Sequence, residues 1–274
     1  MAAHSKGAPG TISVMKHKYL IRAERCENME QFFKDLGIKI EAAIKKEMPK
    51  ILNKTGGEKI YTAALVTDSD CITLYLALNT CEYLKKTDEQ DAARNDLPEG
   101  CAEKIRDGSG SLTKWIPDEW GYSDGKESEL NQISELLYEY DENLDSDDEV
   151  RSKYGELFFE TVMQAFQNLI KAKAFGADTD EITYFISMSD DDRTPAIENY
   201  SAKLLNPEPI YKEFLRRNEF FEEFFGENSS EEGTSEGDDL DEDSSDENFS
   251  HMASGEIPED FSWKALMDDY FGIC

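Results

Sequence analysis

The chain has 274 residues, with 60 Asp or Glu against 29 Lys or Arg and a formal net charge of -31. Such a charge repels nucleic acid and anionic membranes and favours basic partners. No stretch approaches the roughly 18 apolar residues of a membrane span, and no apolar leader opens the chain, so the reading is an intracellular, cytoplasmic protein.

The charge is unevenly spread. Residues 1–60 carry 12 Lys or Arg against 7 acids, residues 61–226 carry 16 against 37, and residues 227–260 hold 14 acids and no Lys or Arg. The chain therefore divides into a polar leader over 1–13, a single domain over 14–226, an acidic low-complexity linker over 227–260 and an amphipathic segment over 261–274. Leader and linker have little to bury and are expected to be disordered. Five cysteines, an odd number without a C-x-x-C pair, read as reduced thiols.

In chain order, Asn28 can cap a helix in which Met29, Phe33, Leu36, Ile40, Ile44 and Met48 recur at helical spacing. Pro49 and then Gly56-Gly57 are expected to end it. Its lysines form a basic face that could bind phosphate or an acidic protein, though such a face is more often solvated, here docking on the chain's own acidic half. Residues 60–67 and 71–78 are short apolar runs separated by Asp68-Ser69-Asp70, a loop that permits a hairpin and forbids a parallel crossover. Both runs are nearly continuous, so helices should cover both faces. Residues 85–110 read as a short helix followed by an irregular loop.

Pro117 lies between Trp115 and Trp120, so residues 112–122 read as a strand that breaks off or lies at an edge. The two tryptophans, with Glu119 and Tyr122, form either an aromatic clamp on the core or a binding surface. Two amphipathic helices follow, one from Ser128 and one capped by Ser146 or Asp147, with Gly176 as the stop of the second. A buried strand over 181–188 then runs into Asp190, Asp191 and Asp192. Two short helical stretches with an aromatic face complete the domain. Beyond the linker, Trp263, Leu266, Met267 and Tyr270 share one helical face, which suits docking either on a partner groove or back on the domain.

The chemistry available is narrow. The three histidines are His4, His17 and His251, too few for a His/Cys zinc site or a supported Ser-His-Asp mechanism. No phosphate-cradling glycine motif is present. If the chain is an enzyme, the catalytic candidates are Asp190, Asp191, Asp192 and Glu119, a set of oxygen ligands suited to magnesium or calcium. The commoner arrangement is that the aspartates cap a turn and pair with Arg193 or Lys203.

Asn79-Thr80 with Glu82, then Lys114-Trp115, Pro117, Glu119-Trp120 and Tyr122, then residues 187–192 and Leu205-Asn206-Pro207 form an ordered set. In that set the chain resembles a bacterial family catalogued as domain of unknown function 4303, over roughly residues 28–220. The resemblance implies an intracellular accessory protein and, by analogy, an immunity protein that neutralises a secreted toxin. The expected fold is α+β, a mostly antiparallel sheet flanked by helices with a disordered acidic tail. The first expectation for function is a non-enzymatic acidic module binding a basic protein, with no cofactor. A divalent-metal hydrolase and an adaptor docking through its C-terminal segment are the alternatives. Candidate binding residues are Asn79, Glu82, Trp115, Glu119, Trp120, Tyr122, the three aspartates, Trp263, Leu266 and Tyr270. Oligomeric state is left open.

Overall fold

The computed structural model describes residues 10–176, 179–189, 191–226, 257 and 261–273. The acidic linker, except Ile257, and the first nine residues lie outside that set, and with them the expectation that both are disordered. The elements are α1 (Gly10–Thr55), β1 (Ile60–Thr67), β2 (Tyr75–Thr80), α2 (Cys81–Asp91), α3 (Cys101–Asp107), β3 (Tyr122–Ser123), α4 (Glu129–Asp141) and α5 (Asp148–Lys171). They continue with β4 (Thr183–Met188), α6 (Thr194–Leu205), α7 (Glu208–Leu215), α8 (Glu219–Phe225) and α9 (Trp263–Tyr270).

Among the described residues the four strands form one sheet in the order β3-β2-β1-β4. The fold is α+β, as expected, but the sheet is mixed and not mostly antiparallel. β1 pairs antiparallel with β2, as the short loop requires, whereas β4 pairs parallel with β1. The physical reason is the connection. The hairpin rule constrains only strands joined by a tight loop, and β4 arrives after the long helix α5, which permits a parallel return.

Successive side chains of β1 point to opposite faces. Ala63 and Leu65 join Tyr184 and Ile186 against α1, α4 and α5, in the larger core. Ala64 and Val66 join Phe185, Trp120, Tyr211 and Phe214 in a smaller core on the other face. Both faces are covered, which is why the strands read as apolar throughout.

Helix α1 departs from expectation at both ends. It begins at Gly10, so Asn28 is an interior residue and residues 10–13 of the expected leader are helical. It also passes through Pro49. Pro49 is exposed, so water can satisfy the carbonyl one turn back, and the stripe continues through buried Met48 and Ile51. Gly56 and Gly57, at φ +63° and +92°, take the left-handed backbone that stops it. Its lysines meet acids at Lys46–Glu129, across to α4, and within α1 at Lys45–Glu41.

Ser128 caps α4 and Asp147 caps α5, each by accepting a backbone N–H of the first turn. Helix α5 stops at Lys171, before Gly176, because Lys173 itself takes a left-handed conformation at φ +55°. Residues 112–121 are not a strand, contrary to expectation: a 3-10 turn over Pro117–Glu119 leads into the two-residue β3 at the sheet edge, where Pro117 denies the ladder its hydrogen bond.

The opposite edge, β4, is closed by side chains of α6 and its cap. Asn206 accepts from the Tyr184 N–H (2.8 Å) and donates to its carbonyl (2.6 Å). Ser201 does the same at Ile186, and Thr194 donates to the Met188 carbonyl (2.8 Å). These contacts replace a missing neighbour strand and blunt the edge against pairing with another chain.

Candidate functional site

Asn79, at the end of β2, is fully buried and donates to Tyr61 Oη (3.0 Å). Tyr61 Oη in turn donates to the Lys114 carbonyl (2.8 Å), which also accepts from Trp120 Nε1 (3.2 Å). Burial raises the Tyr61 hydroxyl far above its ordinary value, so it stays protonated and remains a donor. The Trp120 ring meets Phe185 edge-on (5.7 Å), and Trp115 meets Phe214 edge-on (5.2 Å). Asn79, Trp115 and Trp120 are thus one assembly, joined through Tyr61 and a single carbonyl.

A second group adjoins it. Glu58 accepts from Thr80 Oγ1 (2.5 Å) and Tyr122 Oη (2.7 Å), which holds its carboxyl below the usual range. Partial burial and the Glu58 carboxylate push Tyr122 up to about 12. Glu82 accepts the Lys59 N–H (2.9 Å) and so fixes the chain entering β1.

This assembly walls an open cleft of about 950 Å³. Its lining includes Tyr61, Lys114 and Trp115, Asp88 and Lys85 of α2, and Glu213 and Arg216. Asp88 accepts from Ser111 Oγ (2.6 Å), and burial followed by the nearby Asp91 raises its carboxyl. Lys114 Nζ lies 4.7 Å from the centre of the Trp115 ring and 3.3 Å from Glu213 Oε1. Cys81 also lines the cleft. Its side chain is exposed, and partial desolvation with the Glu82 carboxylate pushes its thiol up.

The aspartates lie elsewhere. Asn79 pairs with Thr62 near the start of β1, while Met188 pairs with Thr67 at its end. Five residues of strand put Asn79 and Met188 roughly 17 Å apart. Asp190 is outside the described residues and Asp192 is exposed. Asp191 accepts from Arg193 Nε (2.7 Å), Nη2 (2.6 Å) and backbone N (2.8 Å). The two side chains are only 6% and 3% exposed, and Arg193 also donates to the Ser69 carbonyl (2.9 Å). Both Asp191 oxygens are engaged in pinning two loops together. Glu119 is exposed on its 3-10 turn and does not line the cleft. Among the described residues no three His, Cys, Asp or Glu side chains gather as a metal site.

The C-terminal segment docks on its own domain. Trp263 stacks on Phe159 of α5 (4.9 Å) with Tyr200 of α6 edge-on to it (4.6 Å). Leu266 and Met267 are buried, Ser152 donates to Asp268 (2.7 Å), and Lys203 donates to the Ile257 carbonyl (2.8 Å). Tyr270 is half exposed and lies over the Arg193 guanidinium at 3.6 Å.

Sequence reasoning did not single out Tyr61, Asp88, Ser111 or Glu213, since each is ordinary in its own stretch. It also missed the buried cluster in which Arg217 meets Glu198 (3.0 Å), itself bonded to Ser187 (2.7 Å). The adjacent Lys114-Trp115 pair was the one signal pointing to the cleft.

Fold and cleft define an α+β domain with an aromatic-walled, charge-lined groove at one end of a helix-covered mixed sheet. The chain belongs to the DUF4303 family, a domain of unknown function that matches residues 40–207. No curated protein and no solved structure matches it. The matched region holds the whole sheet and ends where α7 begins, so the Glu213 wall and α9 lie beyond it. No helix among the described residues is long and apolar enough to cross a membrane.

Proposed function

We propose that the protein is a non-enzymatic binding module that engages a basic protein through its acidic surface, in the manner of an immunity or antitoxin protein. The observation that carries this reading is a run of one sign in the sequence, much of it exposed. Residues 127–150 hold ten acids and no Lys or Arg. Glu127, Glu135, Glu139 and Glu142 are exposed on α4 and on the turns that flank it, and Asp148 at the start of α5. Tyr138 stands among them, 50% exposed, as a potential anchor. An exposed run of this kind steers a positively charged partner and rejects acidic ones.

The metal-dependent hydrolase has less support, because both Asp191 carboxylate oxygens are engaged by Arg193. The test is capture of partners on the immobilised full chain, with salt as the variable. Bound proteins should be basic and should elute as salt rises. The triple change Glu135→Gln, Glu139→Gln and Glu142→Gln should slow association on the order of tenfold at low salt. Neutral or acidic partners, or binding indifferent to salt, overturn the reading.

A further inference from the structure

Lys114 holds an unusual position in the cleft. Its ammonium lies over the Trp115 ring at 4.7 Å and near Glu213 at 3.3 Å. Asp88 is tied to the Lys114 backbone through Ser111 Oγ, which donates to Asp88 (2.6 Å) and accepts the Lys114 N–H (3.1 Å), and its carboxyl is disfavoured by burial and relieved in part by the same ammonium. The aromatic face and the two carboxylates form a receptor for a positive charge, and the chain fills it with its own lysine. That occupant is loosely held. The Lys114 side chain is 33% exposed and Glu213 is 60% exposed, at a separation that gives only a weak hydrogen bond. The Lys114 main chain, by contrast, is fixed by the bonds that Tyr61 and Trp120 make to its carbonyl. The side chain can therefore leave without moving the backbone.

We propose that the cleft receives an arginine side chain of the basic partner, laid on Trp115 and paired with Glu213 and Asp88, after the Lys114 side chain swings out. Arginine suits the site better than the resident lysine. Its guanidinium is planar, less strongly hydrated and able to bond a carboxylate through two N–H groups while stacked on a ring. Other cations of the cleft are engaged: Lys104 with Glu223, Arg217 with Glu198, and Arg106 with the Ala92 carbonyl. Lys85 and Arg216 stand exposed in water, where their repulsion is screened. The inference rests on the proposed function and names the point at which the partner is gripped.

The experiment titrates the full chain with a short arginine-rich peptide and with its citrulline counterpart, which keeps the shape and loses the charge. Tryptophan fluorescence, compared with that of Trp115→Leu, separates the Trp115 signal from those of Trp120 and Trp263, and calorimetry gives Kd. The arginine peptide should bind about tenfold more tightly than the citrulline peptide. Lys114→Met, which removes the competitor, should tighten binding severalfold. Trp115→Leu and Glu213→Gln should each weaken it roughly fivefold. Trp115→Leu also loosens Phe214, so the exposed Glu213→Gln carries the decision. Equal binding of the two peptides, no gain from Lys114→Met, or binding of inorganic phosphate in place of the peptide overturns the proposal. A salt-sensitive basic partner indifferent to all three substitutions overturns this site and leaves the proposed function standing. The predicted peptide pattern without any basic partner upholds the site and removes the function.

Discussion

Two aspartates show how differently burial treats a carboxylate. Asp191 is enclosed with Arg193, and the pair ties Ser69 of the β1–β2 loop to the turn before α6. Removing one partner of a buried pair strands the other charge, so Asp191→Ala should cost about 3–5 kcal/mol of stability. Thermal unfolding should show this loss, and magnesium or calcium should leave Tm unchanged in both the parent chain and the variant. A divalent-cation stabilisation lost in the variant would restore the metal reading. Asp88 has no such enclosing partner, and burial raises its carboxyl above the ordinary value of 3.8. Between 3.8 and its raised value the folded chain holds a proton that the unfolded chain has released. Stability from this group is therefore full at lower pH and falls as pH rises through that window. Asp88→Asn should remove the fall and raise Tm at neutral pH, as expected of a residue kept for binding at the expense of stability. A lower Tm across the whole range would contradict this. The three-aspartate motif was legible in the sequence, which left its partner open between Arg193 and Lys203; Asp191 takes Arg193. Asp88 was not, because one acid in a polar helix carries no pattern until Ser111, 23 residues on, is folded against it.

At the level of elements, periodicity revealed α4, α5, the hairpin and the amphipathic α9, since each pattern is local. Two features were hidden because they depend on distant partners. The parallel pairing of β4 with β1 joins residues more than a hundred positions apart. The closure of the β4 edge by Thr194, Ser201 and Asn206 appears only when α6 lies along that strand. Pro49 misled for a related reason: a proline rule describes an isolated helix, whereas α1 is held by a buried stripe running past it. The seat of α9 was also open in the sequence, and Gly155 explains it. A Cβ there would lie 2.5 Å from Met267 Sδ and 3.1 Å from its Cγ. Gly155→Ala should favour helix α5 by up to about 1 kcal/mol yet unseat α9. The expected signature is a red shift of Trp263 emission and faster proteolysis at the C-terminus, with no fall in Tm of the domain. Retention of the Trp263 environment would show that Met267 can yield and that the glycine is not needed for docking.

For the whole molecule, charge is the dominant fact. A chain of net charge -31 is repelled by every anionic surface and steered to every cationic one. That much is legible in composition alone. The fold adds that Glu135, Glu139 and Glu142 of the acidic run 127–150 are exposed on and just after α4, while most cations of the cleft are tied to acids or carbonyls. The measurement that tests the account most directly is the association rate of a captured partner with the parent chain and with the Glu135/Glu139/Glu142 triple glutamine variant, across rising ionic strength. The account predicts a rate that falls steeply with salt for the parent, starts on the order of tenfold lower for the variant, and converges at high salt. Equal rates for the two chains, or a flat salt dependence, would contradict it.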